Sequence, residues 1–262
     1  MNASLSFAKF IHYCLNLIQS NYIKIAFMND THLHLEEHLK SSDMLTDIVI
    51  GMSDGLTVPF ALAAGLSGAV QGNVNLIWIA GIAEIAAGSI AMGLGGFLAG
   101  KTEQDHYASE LKNEYWELEH KREVEIEEVR KVFLEWGLSH STAEEATQEI
   151  IKDDKRWVEF MMKHELGLQK PDPKRAKKSA FNIGTSYIVG GMVPLVPYFF
   201  VENAIDGLKV SAIITLICLY IFGFFKSKIT GINPWLGGLK VMMIGAVAAG
   251  AAFTIAKLIQ AA

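Results

Sequence analysis

Apolar residues along this 262-residue chain gather in long blocks, while most of the charge sits in one central block. A water-facing core would interleave the two, so the pattern points to a lipid environment. Crossing a bilayer takes roughly 20 apolar residues in a helix, and five stretches meet that length: 46 to 70, 74 to 100, 179 to 200, 208 to 226 and 236 to 260. The block 101 to 178 is polar, has no proline before Pro171, and reads as helix outside the membrane. Gly137 predicts a break there, with Ser141 or Thr142 capping the next helix ahead of Glu144 and Glu145, and Gly167 marks the following stop. At least two helices, with room for a third, therefore lie in this block. The expected fold is an all-α membrane protein of five transmembrane helices, with a helical insert between the second and third. Its parts are an N-terminal segment 1–45, helices one and two over 46–100, the insert over 101–178, and helices three to five over 179–262. All five apolar blocks are rich in Gly and Ala, as in Gly51 to Gly55 and Gly96 to Gly100, which lets helices approach closely.

Loops that stay in the cytosol carry more Lys and Arg than those that cross. Lys170, Lys174, Arg175, Lys177 and Lys178 directly precede the third span, and Lys226, Lys228 and Lys240 flank the fourth and fifth. Loops 71–75 and 201–207 contain none. The N-terminus and the block 101–178 are thus expected in the cytosol, with the C-terminus on the other side, as five spans require. Near the start, Phe7, Phe10, Ile11, Cys14, Leu15, Ile18, Tyr22 and Ile25 recur at helical spacing and fit an interfacial helix. An unordered extension ahead of a start at Met28 fits the same residues. Lys9, His12, Asn16 and Lys24 interrupt the stretch too often for a cleaved signal peptide.

A composition of 51% hydrophobic residues would also suit a large soluble domain, so the block pattern is what decides for the bilayer. The net charge of −5 arises mainly in the central block. With no basic stripe, nothing favours a nucleic-acid partner. Cys14 and Cys218 are far apart and outside any CxxC spacing, so both are expected as free thiols. No nucleophile, phosphate loop or acid and base pair suggests an enzyme.

Candidate chemistry is acidic. On an unbroken helix Glu114, Glu117, Glu125 and Glu128 fall within about 80° of one another, with Glu103 and Glu110 on the same arc. Carboxylates in such number suit divalent cations. Lys121, four residues from both Glu117 and Glu125, offers the competing reading of a salt-bridge ladder. Leu111, Leu118, Val129 and Trp136 form an adjacent apolar arc for packing. Further on, Met161, Met162 and Glu165 cluster, and a thioether beside carboxylates points to a transition metal, although a Met pair is more often core filler. Glu117 and His120 make one ExxH pair, and a di-iron bundle needs two. Within the spans, Asp47 and Asp54 share a helix face, and Glu84 and Met92 are their partners on the second span. Carboxylates inside the bilayer are costly and usually functional; Asp47, near the interface, could serve only as a cap. Pro59 is expected to kink the first span just beyond Asp54.

The segments DIVIGMSDGLTVPFALAAGLSGA at 47–69 and GIAEIAAGSIAMGLGGFLAGKTEQDHY at 81–107 resemble the vacuolar iron transporter family. FMMKHELGLQKPDPKRAKKSAF at 160–181 and GGMVPLVPYFF at 190–200 extend the similarity over most of the chain beyond residue 36. The resemblance implies five membrane helices per subunit, a homodimer with its pathway at the subunit interface, and exchange of Fe²⁺ for protons, with Fe²⁺ as transported ion and no prosthetic group. It implies pathway roles for Asp54, Met92 and Glu84, and metal ligation by Glu114, Glu117, Glu125, Glu128, Met161, Met162 and Glu165. Mn²⁺, Co²⁺ and Zn²⁺ stay open as cargo, since hard carboxylates plus a thioether do not separate them. A vacuolar-type organelle membrane and a bacterial inner membrane are both compatible. A membrane-anchored metal sensor or store, in which nothing crosses, is the alternative from another class.

Overall fold

The computed structural model describes residues 43–69 and 73–261, so the proposed interfacial helix and Cys14 lie outside the described residues. Helix α1 spans Asp43–Ala69 and α2 spans Val74–His120. Three short helices follow, α3 at Arg122–Glu135, α4 at His140–Ile150 and α5 at Asp154–His164. Helix α6, Arg175–Leu195, runs into a 3₁₀ turn at Val196–Phe200, and α7, Ala204–Ile229, and α8, Pro234–Ala261, complete the chain. Among the described residues there is no strand. Five of the helices (α1, α2, α6 with its 3₁₀ turn, α7 and α8) are long and apolar enough to cross a membrane.

Helix α2 is the element that the hydropathy blocks understate. Its 47 residues reach about 70 Å at 1.5 Å per residue, more than twice a hydrocarbon core of about 30 Å. The apolar part ends near Gly100, and the polar remainder continues as the same rod. It stops at His120 because Lys121 adopts φ −131° and ψ 30°, outside the helical region. The four glutamates expected on one unbroken helix are therefore divided, Glu114 and Glu117 on α2, Glu125 and Glu128 on α3. The break before α4 falls at Gly137, whose φ of +86° is a left-handed conformation that residues with a side chain rarely adopt. The cap is Ser139, not Ser141 or Thr142: its hydroxyl accepts the Thr142 N–H at 3.3 Å, so the helix starts at His140. Gly167, at φ +66°, ends the α5 segment where the sequence predicts a stop.

The insert closes on a core of its own. Leu118, Val129, Phe133, Ala143, Trp157, Val158, Met161 and Met162 are buried together, with Leu111 packed against them. Trp136, expected in that apolar arc, is instead 54% exposed, its ring edge-on to Phe133 and tilted against Phe160.

Among the apolar helices, α6 packs along both α1 and α2. Gly51 and Gly55 make the first contact possible. A Cβ built on Gly55 would stand 2.4 Å from the Tyr187 carbonyl oxygen, and one on Gly51 2.3 Å from that of Ile183. Backbone atoms cannot rotate out of the way, so the small residues set how near the helices come. At the end of α1 adjoining the insert, Asp47, 1% exposed, is fully engaged. The Arg175 guanidinium donates to Oδ2 at 2.7 Å and Oδ1 at 3.0 Å, Ser179 donates to Oδ1 at 2.9 Å, and Asn182 donates to Oδ2 at 3.3 Å. Arg175 also reaches Asp43 at 3.4 Å. Two carboxylates of α1 and the first turns of α6 are thereby clamped together.

Two expectations follow. Gly55→Ala should lower the thermal midpoint of the detergent-solubilised protein markedly, since over-packing against backbone typically costs about 1–3 kcal/mol. Gly250→Ala, with nothing within 4 Å of its Cβ position, should leave the midpoint nearly unchanged. Arg175→Met should destabilise by about 3 kcal/mol by leaving Asp47 buried and short of its counter-charge. Adding Asp47→Asn should recover part of that loss in the same melting assay.

Candidate functional site: an acidic cavity and a polar pair in the spans

Where α2 ends, α3 begins and α5 stops, a cavity of about 380 Å³ opens. Its wall carries six glutamates, Glu110, Glu114, Glu117, Glu125, Glu128 and Glu165, together with Asn113, Trp116, Lys121, Val124 and Leu166. The break at Lys121 falls between the two pairs, so Glu114 and Glu117 reach the wall from the end of α2 and Glu125 and Glu128 from the start of α3. Glu165 arrives from the other side as the residue capping α5, its N–H bonded to the Met161 carbonyl at 3.0 Å.

Burial is what marks the site. Glu114 is 5% exposed and Glu125 3% exposed. Among the described residues neither side chain has a hydrogen bond or an ion pair, nor do those of Glu128 and Glu165. Glu117 has one partner, the Lys121 ammonium at 2.7 Å. Glu110 is bonded weakly by Asn113 at 3.4 Å and lies 3.7 Å from His106. Buried carboxylates are ordinarily paired or bound to a metal, so this cavity has a surplus of uncompensated negative charge. The surplus shows in the proton affinities. Glu114 lies beyond the apolar part of α2, and burial, then the neighbouring Glu165, Glu117, Glu128 and Glu110, push its carboxyl up to about 7. Burial, then Glu128, Glu114, Glu117 and Glu165, push Glu125 up to about 8. Glu165 is raised by burial and by Glu128 and Glu117, against a smaller opposing effect from Lys131.

Among the described residues no three His, Cys, Asp or Glu side chains already converge as a ligand set. Repulsion between like charges favours spread oxygens until a cation draws them in. The donors present, oxygens on three separate helix ends around one cavity, fit a hard divalent cation. The two thioethers are elsewhere: Met161 is 0% exposed and Met162 1% exposed, both packed in the insert core rather than on the cavity wall. His120 is engaged locally, with Nδ1 2.8 Å from the Trp116 carbonyl and its ring stacked on that indole at 4.5 Å.

The second group lies within the spans. Tyr187 of α6 donates a short hydrogen bond to Glu84 Oε1 of α2, and the other carboxylate oxygen, Oε2, is buried without a partner. Tyr187 is itself fixed by close packing on Gly55 and Gly88. Asp54, half-buried on α1 and adjacent to the Gly55 that packs on Tyr187, has no hydrogen-bond or ion-pair partner among the described residues. Met92 is half-buried on α2, about 12 Å beyond Glu84 along the helix axis. The structure thus gathers Asp54, Glu84 and Tyr187 around α6 and leaves Met92 two turns further along α2. Asp47 stands apart from them in the clamp with Arg175. Sequence reading missed Tyr187. A tyrosine in mid-span, away from the interfaces where tyrosines usually sit, is the signal that could have found it.

Comparison with known proteins bears on both groups. Residues 45–257 match the model of the VIT family. "Vacuolar iron transporter 1" of Arabidopsis thaliana is 47% identical over 227 residues, covering 87% of this chain and 90% of that protein. "Vacuolar iron transporter 1" of Tulipa gesneriana is 48% identical over 229 residues, covering 87% and 92%. "Protein CCC1" of Saccharomyces cerevisiae is 38% identical over 226 residues, covering 82% and 69%. By a family match over most of its length and by relatives aligned across both acidic groups, the chain belongs to the VIT family.

Proposed function

We propose that the protein moves Fe²⁺ out of the cytosol across a vacuolar-type membrane in exchange for protons. The observation that carries this reading is a set of under-partnered carboxylates at two levels, the buried Glu114 and Glu125 at the cavity and, in the spans, the half-buried Asp54 and Glu84, the latter with Oε2 lacking a partner; α2 carries both Glu84 and Glu114. Relatives named as vacuolar iron transporters supply the cargo and the membrane. In this reading the insert and the N-terminus face the cytosol, Glu114, Glu117, Glu125, Glu128 and Glu165 collect the ion, and Asp54, Glu84 and Met92 of two subunits carry it across. Met161 and Met162 would join as ligands only after a rearrangement that brings them out of the core. Asp47 contributes by holding α1 to α6 at the cytosolic end. Mn²⁺ is a second cargo compatible with the same oxygen donors.

A carboxylate held protonated by burial releases its proton when a cation takes its place, which couples the two flows. Tyr187 fixes Glu84 Oε1, leaving Oε2 as the oxygen free to take a proton or an ion.

In proteoliposomes with a pH difference, Asp54→Ala should abolish Fe²⁺ flux while cation binding by the insert persists. Full transport in that variant refutes the scheme, and cation binding without any Fe²⁺ or proton flux in the unaltered protein would favour a sensor or store. Cation affinity of the cavity should climb as pH rises from about 5 to about 8, because Glu114 and Glu125, raised to about 7 and about 8, must lose their protons to ligate. The linked stability has the opposite sign. Without cation the folded state holds protons that the unfolded state has released above pH 4.5, so stability should fall from pH 4.5 to about 8. Glu125→Gln should weaken cation binding at least tenfold, yet raise the melting temperature of the cation-free protein at neutral pH by replacing a carboxyl that folding must keep protonated.

A further inference from the structure

The cavity contains one ammonium among its glutamates, and its placement is specific. Lys121 is the residue at which α2 stops and α3 starts, and its backbone is bonded on both sides. Its N–H donates to the Glu117 carbonyl at 2.6 Å, and its own carbonyl accepts the N–H groups of Val124 at 2.8 Å and Glu125 at 3.2 Å. The side chain therefore springs from a fixed point on the seam between the two glutamate pairs. Its Nζ bonds Glu117 Oε1 at 2.7 Å and lies 5.5 Å from the centroid of the Trp116 ring. The expected ladder is half made: Lys121 engages Glu117 and leaves Glu125, on the other side of the break, unpaired. The side chain is 47% exposed, so the ammonium has open solvent into which it can withdraw.

We propose that Lys121 is a tethered counter-cation that competes with the incoming ion for Glu117 and thereby sets the affinity and charge selectivity of the cavity. The proposal rests on reading the cavity as a divalent-cation site. A tethered group acts at high effective concentration, so a monovalent ion that gains little beyond one carboxylate does not displace it. A divalent ion that also recruits the unpaired Glu114 and Glu125 does. Displacement leaves the ammonium beside the Trp116 face, where a cation is attracted to the ring. The same competition limits how tightly the ion is held, which suits a site that must pass its cargo on.

The test uses the full-length protein in detergent and titrates Mn²⁺, which resists oxidation, with and without 200 mM KCl. Lys121→Met should tighten Mn²⁺ binding about three- to tenfold, a range suited to removing one half-exposed ion pair. It should also make the binding more sensitive to K⁺. Lys112→Met removes the same charge from an exposed position of α2 and should change affinity less than twofold. Lys121→Arg should behave as the unaltered protein, and Lys121→Met should have no added effect once Glu117→Gln is present. Tightening no greater than that of Lys112→Met, or equal tightening in the Glu117→Gln background, overturns the proposal. If Glu125→Gln binds Mn²⁺ as tightly as the unaltered protein, the cavity is not the cation site. The proposal then falls with the reading beneath it, an outcome distinct from failure of the lysine's role alone.

Discussion

Removing a carboxylate from water without a counter-charge costs several kcal/mol, and a chain that retains such groups must stabilise them elsewhere. Asp47 shows the ordinary solution, two guanidinium bonds and two neutral donors around one side chain. Glu114 and Glu125 show the other one. They are as buried as Asp47 yet unpaired, and the cost is borne by the apolar core of the insert immediately behind them, where Leu118 and Val129 occupy the same two helices. Proton uptake lowers that cost at neutral pH, and in the proposed reading a bound cation lowers it further.

The rod of α2 gives this arrangement its consequence. Glu84 and Met92 lie on its apolar part and Glu114 and Glu117 on its polar part, with no break between them. Met92 and Glu114 are about 33 Å apart along one axis. On α6, Tyr187 holds Glu84 Oε1. Helix α6 is in turn fastened to α1 by the Asp47 clamp and by glycine contacts, so it contacts both acid-bearing helices of the spans.

Much of this was legible in the chain because the bilayer imposes a coarse rule: about 20 apolar residues per span and acids inside only where used. The five spans, the helical insert and the acids Asp54, Glu84, Glu114 and Glu125 all follow from that rule and from helical spacing. What was not legible depended on local backbone geometry. The helical wheel assumes a straight helix through residue 121; the four glutamates do line one cavity, but Lys121 interrupts the helix between the two pairs, and a wheel does not show that break. Tyr187 escaped because its role needs a partner 103 residues away. The cap at Ser139 was displaced because several adjacent residues have hydroxyl side chains and only backbone geometry chooses among them.

The positions of the methionines bear on how a cation would be chosen. Oxygen donors alone rank divalent ions weakly, so a cavity walled by glutamates collects broadly. Met161 and Met162 could sharpen that choice only by leaving a packed core, at the cost of the cavity they would vacate. Met92 is already half-buried beside the proposed route, and its thioether needs no such displacement. In the proposed scheme softness is therefore tested after collection rather than during it: the acids concentrate divalent ions at the membrane surface, and the thioether at the crossing favours the softer ones among them.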